Sequence, residues 1–375
     1  MSITADQPSV AAVTAAPADL ALLPELDLPS PRPRIGLPAG RRRGDRLAEA
    51  VARTAATGAG AAIVAALAGV LVFLLVQGWP ALSAGAAGLP AKAPGFAALA
   101  GPLAFGSLWA SVLALALAAP VAVAVALAIT QYAPRRCRTA LGTAVDLLAA
   151  VPSVVYGLWG LMVVAPLLAR LYPWLSARLG WLPLFAGQPS ASGRTILTAA
   201  VVLALMVVPI MAAVCREVFA QAPASSAEAA LGLGATRWEM IRLAVLPFAR
   251  SGVISGAMLG LGRALGETMA VAMVLSPTPF LVSFRLLESS NPNTVAAFIA
   301  QTFPEAHGLE VSALIALGLI LFALTFAVNA LARRVAAHAA GQPRGGRRRF
   351  GRDTPRSAAP AAARPPAPGP ARPLS

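Results

Sequence analysis

Six runs of apolar residues punctuate this chain, near positions 59–79, 104–130, 145–169, 195–214, 249–275 and 311–332. Each is long enough to cross about 30 Å of bilayer hydrocarbon as a helix of roughly 20 residues. The second has residues to spare and is expected to tilt. Pro152 and Pro166 fall in the third run and Pro209 in the fourth, where a membrane helix tolerates a kink because its neighbours re-satisfy the freed backbone groups. The pattern predicts an all-α polytopic membrane protein with six transmembrane helices.

Between the fourth and fifth runs the pattern turns polar. The stretch from Glu228 to Pro247, EAALGLGATRWEMIRLAVLP, reads as two short helices joined at glycine. Ser225 with Glu228, and Thr236 with Glu239, have the spacing of capping boxes, in which a hydroxyl and a carboxylate satisfy the first backbone donors of a helix. Gly232 and Gly234 lie between them, where a chain leaving a helix turns left-handed. A DNA-reading helix-turn-helix is disfavoured by the apolar spans that flank the stretch closely on both sides.

Composition agrees with a bilayer protein. Of 375 residues, 58 % are hydrophobic and 12 % charged, against about 25 % charged in soluble domains. The formal charge of +15 is carried almost wholly by arginine, since Lys92 is the single lysine. That lysine stands in PAKAP, so the chain has no G-x-x-x-x-G-K phosphate loop, and any ATP is hydrolysed by a different chain. Cys137 and Cys215 fall beside ends assigned to the cytoplasm, where disulfides are rare. His307 and His338 are isolated. No cofactor, metal-ligand set or nucleophile–base pair is expected.

Orientation follows from the arginines. In the six-span arrangement, 24 of the 30 basic residues fall in the N-terminal arm, at Arg135, Arg136 and Arg138, in the 215–250 segment and after Ala332. The opposite loops hold only Lys92, Arg170, Arg178, Arg194 and Arg285. Positive charge stays inside, so both termini are expected in the cytoplasm. Residues 1–57 read as a disordered basic arm and 336–375 as a disordered Arg/Pro/Ala-rich tail, flanking a transmembrane domain over 58–335 with a cytoplasmic loop at 215–248. The first apolar run begins too late and runs too long for a signal peptide. The basic flanks suit anionic lipid headgroups; without aromatic interleaving they give no support to nucleic-acid binding.

One charged pair is expected inside the membrane. Arg263 lies 13 residues beyond Arg250, or about 20 Å along a helix. A charge at mid-span costs on the order of 2.5–3.5 kcal/mol and must face protein or water. Glu267 follows at i+4, in reach of pairing with it. Gly252, Gly256 and Gly260 repeat at the spacing of closely packed membrane helices, and at about 100° per residue Arg263 and Glu267 fall in the same arc. The pair is therefore expected to face the bundle or a partner. Arg263 would offer a cation to a passing oxyanion and Glu267 would moderate its hold, because a pathway needs weak binding. A buried ion pair that only fixes register is the plainer alternative.

Glu228, Ala229, Ala230, Gly234, Leu246 and Pro247 together resemble the EAA loop of bacterial ABC-importer permeases; Ala244 departs from the isoleucine usual at that place. The motifs LGRALGETMAV (residues 261–271), LLAAVPSVVYGLWGL (Leu147 to Leu161) and LGLILFALTFAVNALARR (Leu317 to Arg334) are similar to those of phosphate ABC-importer permeases of the PstC type, over roughly residues 59–334. Permeases for sulfate and molybdate resemble GEFGA where this chain has Gly266, Glu267, Thr268, Met269 and Ala270.

The resemblance implies a type I importer permease fold in the cell membrane. It also implies a homologous second permease subunit, two copies of a cytoplasmic ATPase docked on the Glu228–Pro247 loop, and an extracytoplasmic phosphate-binding protein delivering phosphate. A sulfate or molybdate permease and a phosphate-sensing scaffold remain the alternatives.

Overall fold

The computed structural model describes residues 43–83 and 88–339. Twelve α-helices follow one another among them: α1 (Arg43–Ser83), α2 (Phe96–Leu127), α3 (Arg135–Ala149), α4 (Ser153–Trp159), α5 (Ala165–Leu179), α6 (Ile196–Ala220), α7 (Ala224–Gly232), α8 (Arg237–Met240), α9 (Leu246–Leu265), α10 (Met269–Val274), α11 (Val295–Thr302) and α12 (Leu309–Ala339). The chain divides into two compact units, residues 1–68 and 69–375. The described part of the first is the opening of α1, which begins the span Glu49–Ser83; the packing and the site described below concern the second. The expected arm lies outside the described residues up to position 42. From Arg43 the chain is already helical, because the Ala, Leu, Glu and Arg of this stretch are good helix formers. The expected tail from 340 onward also lies outside the described residues.

Among the described residues, six helical segments are long and apolar enough to cross a membrane: Glu49–Ser83, Phe96–Tyr132, Ser153–Leu179, Ile196–Ala220, Arg237–Leu265 and Leu309–Arg334. Two differ in kind from the sequence expectation. The third was expected from 145, with Pro152 as a kink. Instead Pro152 separates two helices, α3 and α4, because its ring excludes the preceding residue from helical geometry. Residues 135–149 form the separate amphipathic helix α3, which leaves Leu141, Leu147 and Leu148 exposed. The fifth was expected as one helix over 249–275; it stops at Leu265 and restarts at Met269.

Two helical spans pass through a widened π turn, at Gly160–Val164 and Ile241–Val245, and α2 ends in a third, at Ala128–Tyr132. Each turn ends two residues before a proline: Pro134, Pro166 and Pro247. Proline lacks a backbone donor and its ring collides with the carbonyl four residues back. The looser turn moves that carbonyl aside at the cost of one extra residue.

Helix α6 is the axis of the second unit. On one side it meets α2, whose Ala110, Ala114, Ala118, Ala122 and Ala126 form a buried i, i+4 stripe. On the other side lie Gly252, Gly256 and Gly260 of α9, so close that added Cβ atoms would press on Val218, Val214 and Val207 of α6. Small side chains let backbones approach and gain dispersion contacts where the lipid offers no hydrophobic drive between helices. The loop before α11 is fastened by Asn291, fully buried, whose amide donates to the carbonyls of Arg194, Ser276 and Ser289 while its Oδ1 accepts from Ile196 N. Gly106 makes room for the Asn293 carbonyl, and Ser107 Oγ accepts from Val295 N at 2.8 Å.

Candidate functional site

The break between α9 and α10 places the two intramembrane charges. Gly266 ends α9, and the chain is non-helical through Glu267 and Thr268. Glycine is a weak helix former, and the Glu267 carboxylate accepts from Ala270 N at 3.3 Å, so it caps the start of α10. The far end of α10 is held by Arg194, whose guanidinium donates to the carbonyls of Leu275 at 3.0 Å and Met273 at 3.5 Å. One flank of α10 is seated on α4 and the π turn that follows it, where Cβ atoms at Gly157 and Gly160 would strike Ala270 and Val274. A six-residue helix is thus fixed at both ends and along one side, while the link to α9 is short and glycine-led.

Arg263 and Glu267 are not brought together. Among the described residues no ion pair joins them. Glu267 is buried, 8 % exposed, whereas Arg263 is exposed. The i+4 argument assumed one unbroken helix, and the break turns Glu267 away. The glycines face α6, while Arg263, within the same arc by spacing, is exposed on this chain.

There Arg263 lines an open groove of about 670 Å³ with Ile210 of α6, Ser255, Met258, Leu259 and Gly262 of α9, and Asn329 and Arg333 of α12. No carboxylate lines it. Among the described residues, Arg263, Asn329 and Arg333 have no hydrogen bond or ion pair of their own. The Tyr156 hydroxyl of α4, which donates to the Leu148 carbonyl, lies within electrostatic reach of Arg263. Such a surface can hold an anion through guanidinium and amide donors. It cannot face lipid unscreened.

The polar segment folds as two short helices, with one capping box instead of two. Thr236 Oγ1 accepts from Glu239 N at 3.3 Å and Glu239 Oε2 accepts from Thr236 N at 2.8 Å, closing the second box. The first does not form. With Pro223 at its N-cap α7 starts two residues early, which puts Ser225 inside the helix, where its hydroxyl is too late to cap. Gly232 stays helical, and Gly234 alone turns left-handed, with φ of +85°. Gly234 N donates to Leu231 O and Ala235 N to Ala230 O, the paired bonds of a Schellman turn.

Glu228 and Ala229 are exposed on α7, and Pro247 is exposed at the start of α9. Ala230 and Leu246 instead pack inward against a core of Phe219, Met240, Ile241 and Val245. Sequence reasoning missed Leu233, which stands 90 % exposed at the apex of the turn, with Trp238 and Leu243 exposed nearby. A leucine directly before a left-handed glycine was the available signal. It also missed Arg194, counted there only as a loop charge. Among the described residues no group of His, Cys, Asp and Glu could hold a metal.

The sequence profile of binding-protein-dependent transport system inner membrane components matches residues 118–340. The chain is 45 % identical over 305 residues to the phosphate transport system permease protein PstC 2 of Mycobacterium tuberculosis, covering 79 % of this chain and 92 % of that protein. It is 46 % identical over 235 residues to the phosphate transport system permease protein PstC of Pasteurella multocida, covering 61 % and 71 %. Among solved structures, a bacterial ABC transporter involved in import of the acidic polysaccharide alginate has a chain that superposes with a TM-score of 0.48 at 17 % identity, over 78 % of this chain and 99 % of that one. The chain therefore belongs to the binding-protein-dependent transport system inner membrane components, and within them to the PstC type of phosphate transport permease.

Proposed function

We propose that this chain is a membrane permease subunit of an ATP-driven phosphate importer, and that phosphate crosses beside Arg263. The observation that carries the pathway is the open groove in which an intramembrane arginine, no carboxylate and an unpaired amide share one wall. In a single chain that wall is exposed, so water or a second subunit must cover it. A homologous second permease fits this requirement, since two such walls facing each other enclose a polar cavity. Both termini then lie in the cytoplasm, in keeping with the arginine distribution, and the α7–α8 turn faces the ATPases.

Coupling runs through the α7–α8 turn. Closure of the ATPases on ATP displaces that turn, whose Met240, Ile241 and Val245 share a core with α6. A packed core is close-fitting and does not deform continuously, so α6 and the spans fixed to it move as a body between two openings. The break at Gly266–Thr268 lets α9 follow the turn while α10 stays on α4. An extracytoplasmic binding protein supplies phosphate to the outer opening. Phosphate is the transported oxyanion; the binding protein that delivers it sets much of the selectivity.

The test is ATP-driven uptake of radiolabelled phosphate by proteoliposomes holding this chain, its partner permease, ATPase and binding protein, with excess sulfate or molybdate as competitor. Uptake that needs ATP and ignores the competitors is expected. Arg263→Gln is expected to abolish uptake while the complex still assembles. Normal uptake by that variant sinks the pathway, and suppression by sulfate or molybdate reassigns the substrate.

A further inference from the structure

The groove that holds Arg263 continues to a second cation. Arg333 and Asn329 stand four residues apart on α12, about 6 Å along the helix, and both line the same groove as Arg263 and Ser255 of α9. Ser255 and Arg263 are eight residues apart, or about 12 Å. The groove thus carries polar groups over two turns of α9. Arg333 lies 24 residues beyond Leu309, about 36 Å of helix, which exceeds the hydrocarbon thickness. It therefore sits at headgroup level, and Arg263 lies deeper.

We propose that Arg333, with Asn329, forms a second oxyanion subsite at the cytoplasmic mouth of the groove, which receives phosphate released from Arg263. The inference rests on the reading of that groove as the pathway. An anion held by one cation within the membrane leaves slowly, and a second site within reach lowers the barrier to leaving, as in pores that bind at several weak positions. Two guanidinium groups with no carboxylate on the groove wall suit a mono- or dianion. Asn329 adds a feature that a bare cation lacks. Its amide donates to an oxyanion oxygen, and its carbonyl, like the Ser255 hydroxyl, accepts from a protonated one. Phosphate near neutral pH keeps at least one P–OH to donate; sulfate has none. A site built to accept that proton discriminates against the ion without it.

Arg333 is also one of the flanking arginines that set topology, so its position in the groove has to be separated from its charge. Arg334, the next residue along the chain, provides that comparison, because it does not line the groove. The same phosphate oxyanion chemistry occurs on lipid headgroups, and lipid composition separates the two sources.

The experiment uses the full complex in proteoliposomes of neutral phosphatidylcholine, and in parallel with phosphatidylglycerol added. Arg333→Gln, Arg333→Lys, Asn329→Leu and Arg334→Gln are compared for initial phosphate uptake, after checking that each assembles and melts like the parent. We expect Arg333→Gln to slow uptake by tenfold or more in both lipids, Arg333→Lys to recover most of it, and Asn329→Leu to lose several-fold. Arg334→Gln is expected to stay within twofold.

Equal effects of Arg333→Gln and Arg334→Gln would reduce Arg333 to a topology charge and overturn the subsite. A defect confined to liposomes with phosphatidylglycerol would assign the arginine to lipid headgroups and overturn it as well. Arg263→Gln separates this proposal from the pathway reading. An inactive Arg263→Gln beside a normal Arg333→Gln removes only the second subsite, whereas an active Arg263→Gln removes the pathway itself.

Discussion

At the scale of single residues, Glu267 has two roles that can be pulled apart. As a carboxylate it is a second ionisable group in the fifth span, off the wall that Arg263 lines; as an acceptor it caps α10 through Ala270 N. Glu267→Gln keeps an acceptor oxygen and removes the charge, whereas Glu267→Ala removes both. Loss of a helix cap costs about 1 kcal/mol. The thermal midpoint of the purified complex is therefore expected to drop for Glu267→Ala and to hold for Glu267→Gln. Equal midpoints would show that the cap contributes nothing to stability. Arg263 and Glu267 were both legible in the sequence as intramembrane charges, because ionisable residues are costly there. Their separation was not legible, since the i+4 rule holds only along an unbroken helix, and what breaks this one is local competition for a backbone donor together with a glycine.

At the scale of elements, the α7–α8 turn depends on one backbone angle. Gly234 has a positive φ and no neighbour in contact with its missing side chain, so conformation alone selects glycine there. Gly234→Val forces a β-branched residue into that region at a cost of about 1–3 kcal/mol. The expected result is a complex that still hydrolyses ATP but moves fewer phosphates per ATP, measured by parallel hydrolysis and uptake. An unchanged ratio would mean that the turn does not transmit the stroke.

The helix pairs around α6 respond differently, because their glycines are chosen for space. At Gly260 an added Cβ already lies 2.6 Å from a methyl of Val207, so Gly260→Leu overpacks the seam by about 1–3 kcal/mol. A lowered thermal midpoint and a smaller yield of assembled complex are expected. The two capping boxes were equally visible as spacing. Only one formed, because Pro223 moved the start of α7 and spacing alone does not say where a helix begins.

At the scale of the whole molecule, the exposed apolar side chains divide by environment. Those along the spans lie where lipid or a second subunit can cover them. Leu233, Trp238 and Leu243 lie instead on the polar α7–α8 segment and the turn that follows it, where an apolar tip signals a partner. Burying a leucine side chain is worth about 1.5–3 kcal/mol, so losing one that a partner covers weakens association on the order of tenfold. Leu233→Asp is expected to lower the affinity of the permease pair for its ATPase by about that factor, read by titration of the ATPase onto the purified pair. Undiminished affinity would move the contact elsewhere on the segment.

The chain's amino-acid order by itself determined the membrane class, the six spans and the two short helices between the fourth and fifth spans. These follow from apolar run length, charge cost and turn chemistry, all of which act within a few residues. Only the tertiary structure decided where the spans stop and which way their side chains point. Pro152 divides two helices, the fifth span breaks at Gly266, and α6 sits between an alanine stripe and a glycine stripe. Those outcomes depend on which backbone can approach which. Arg263 and Arg333 share a wall though 70 positions separate them, because the packing of α9 beside α12 brings together residues that no local pattern relates.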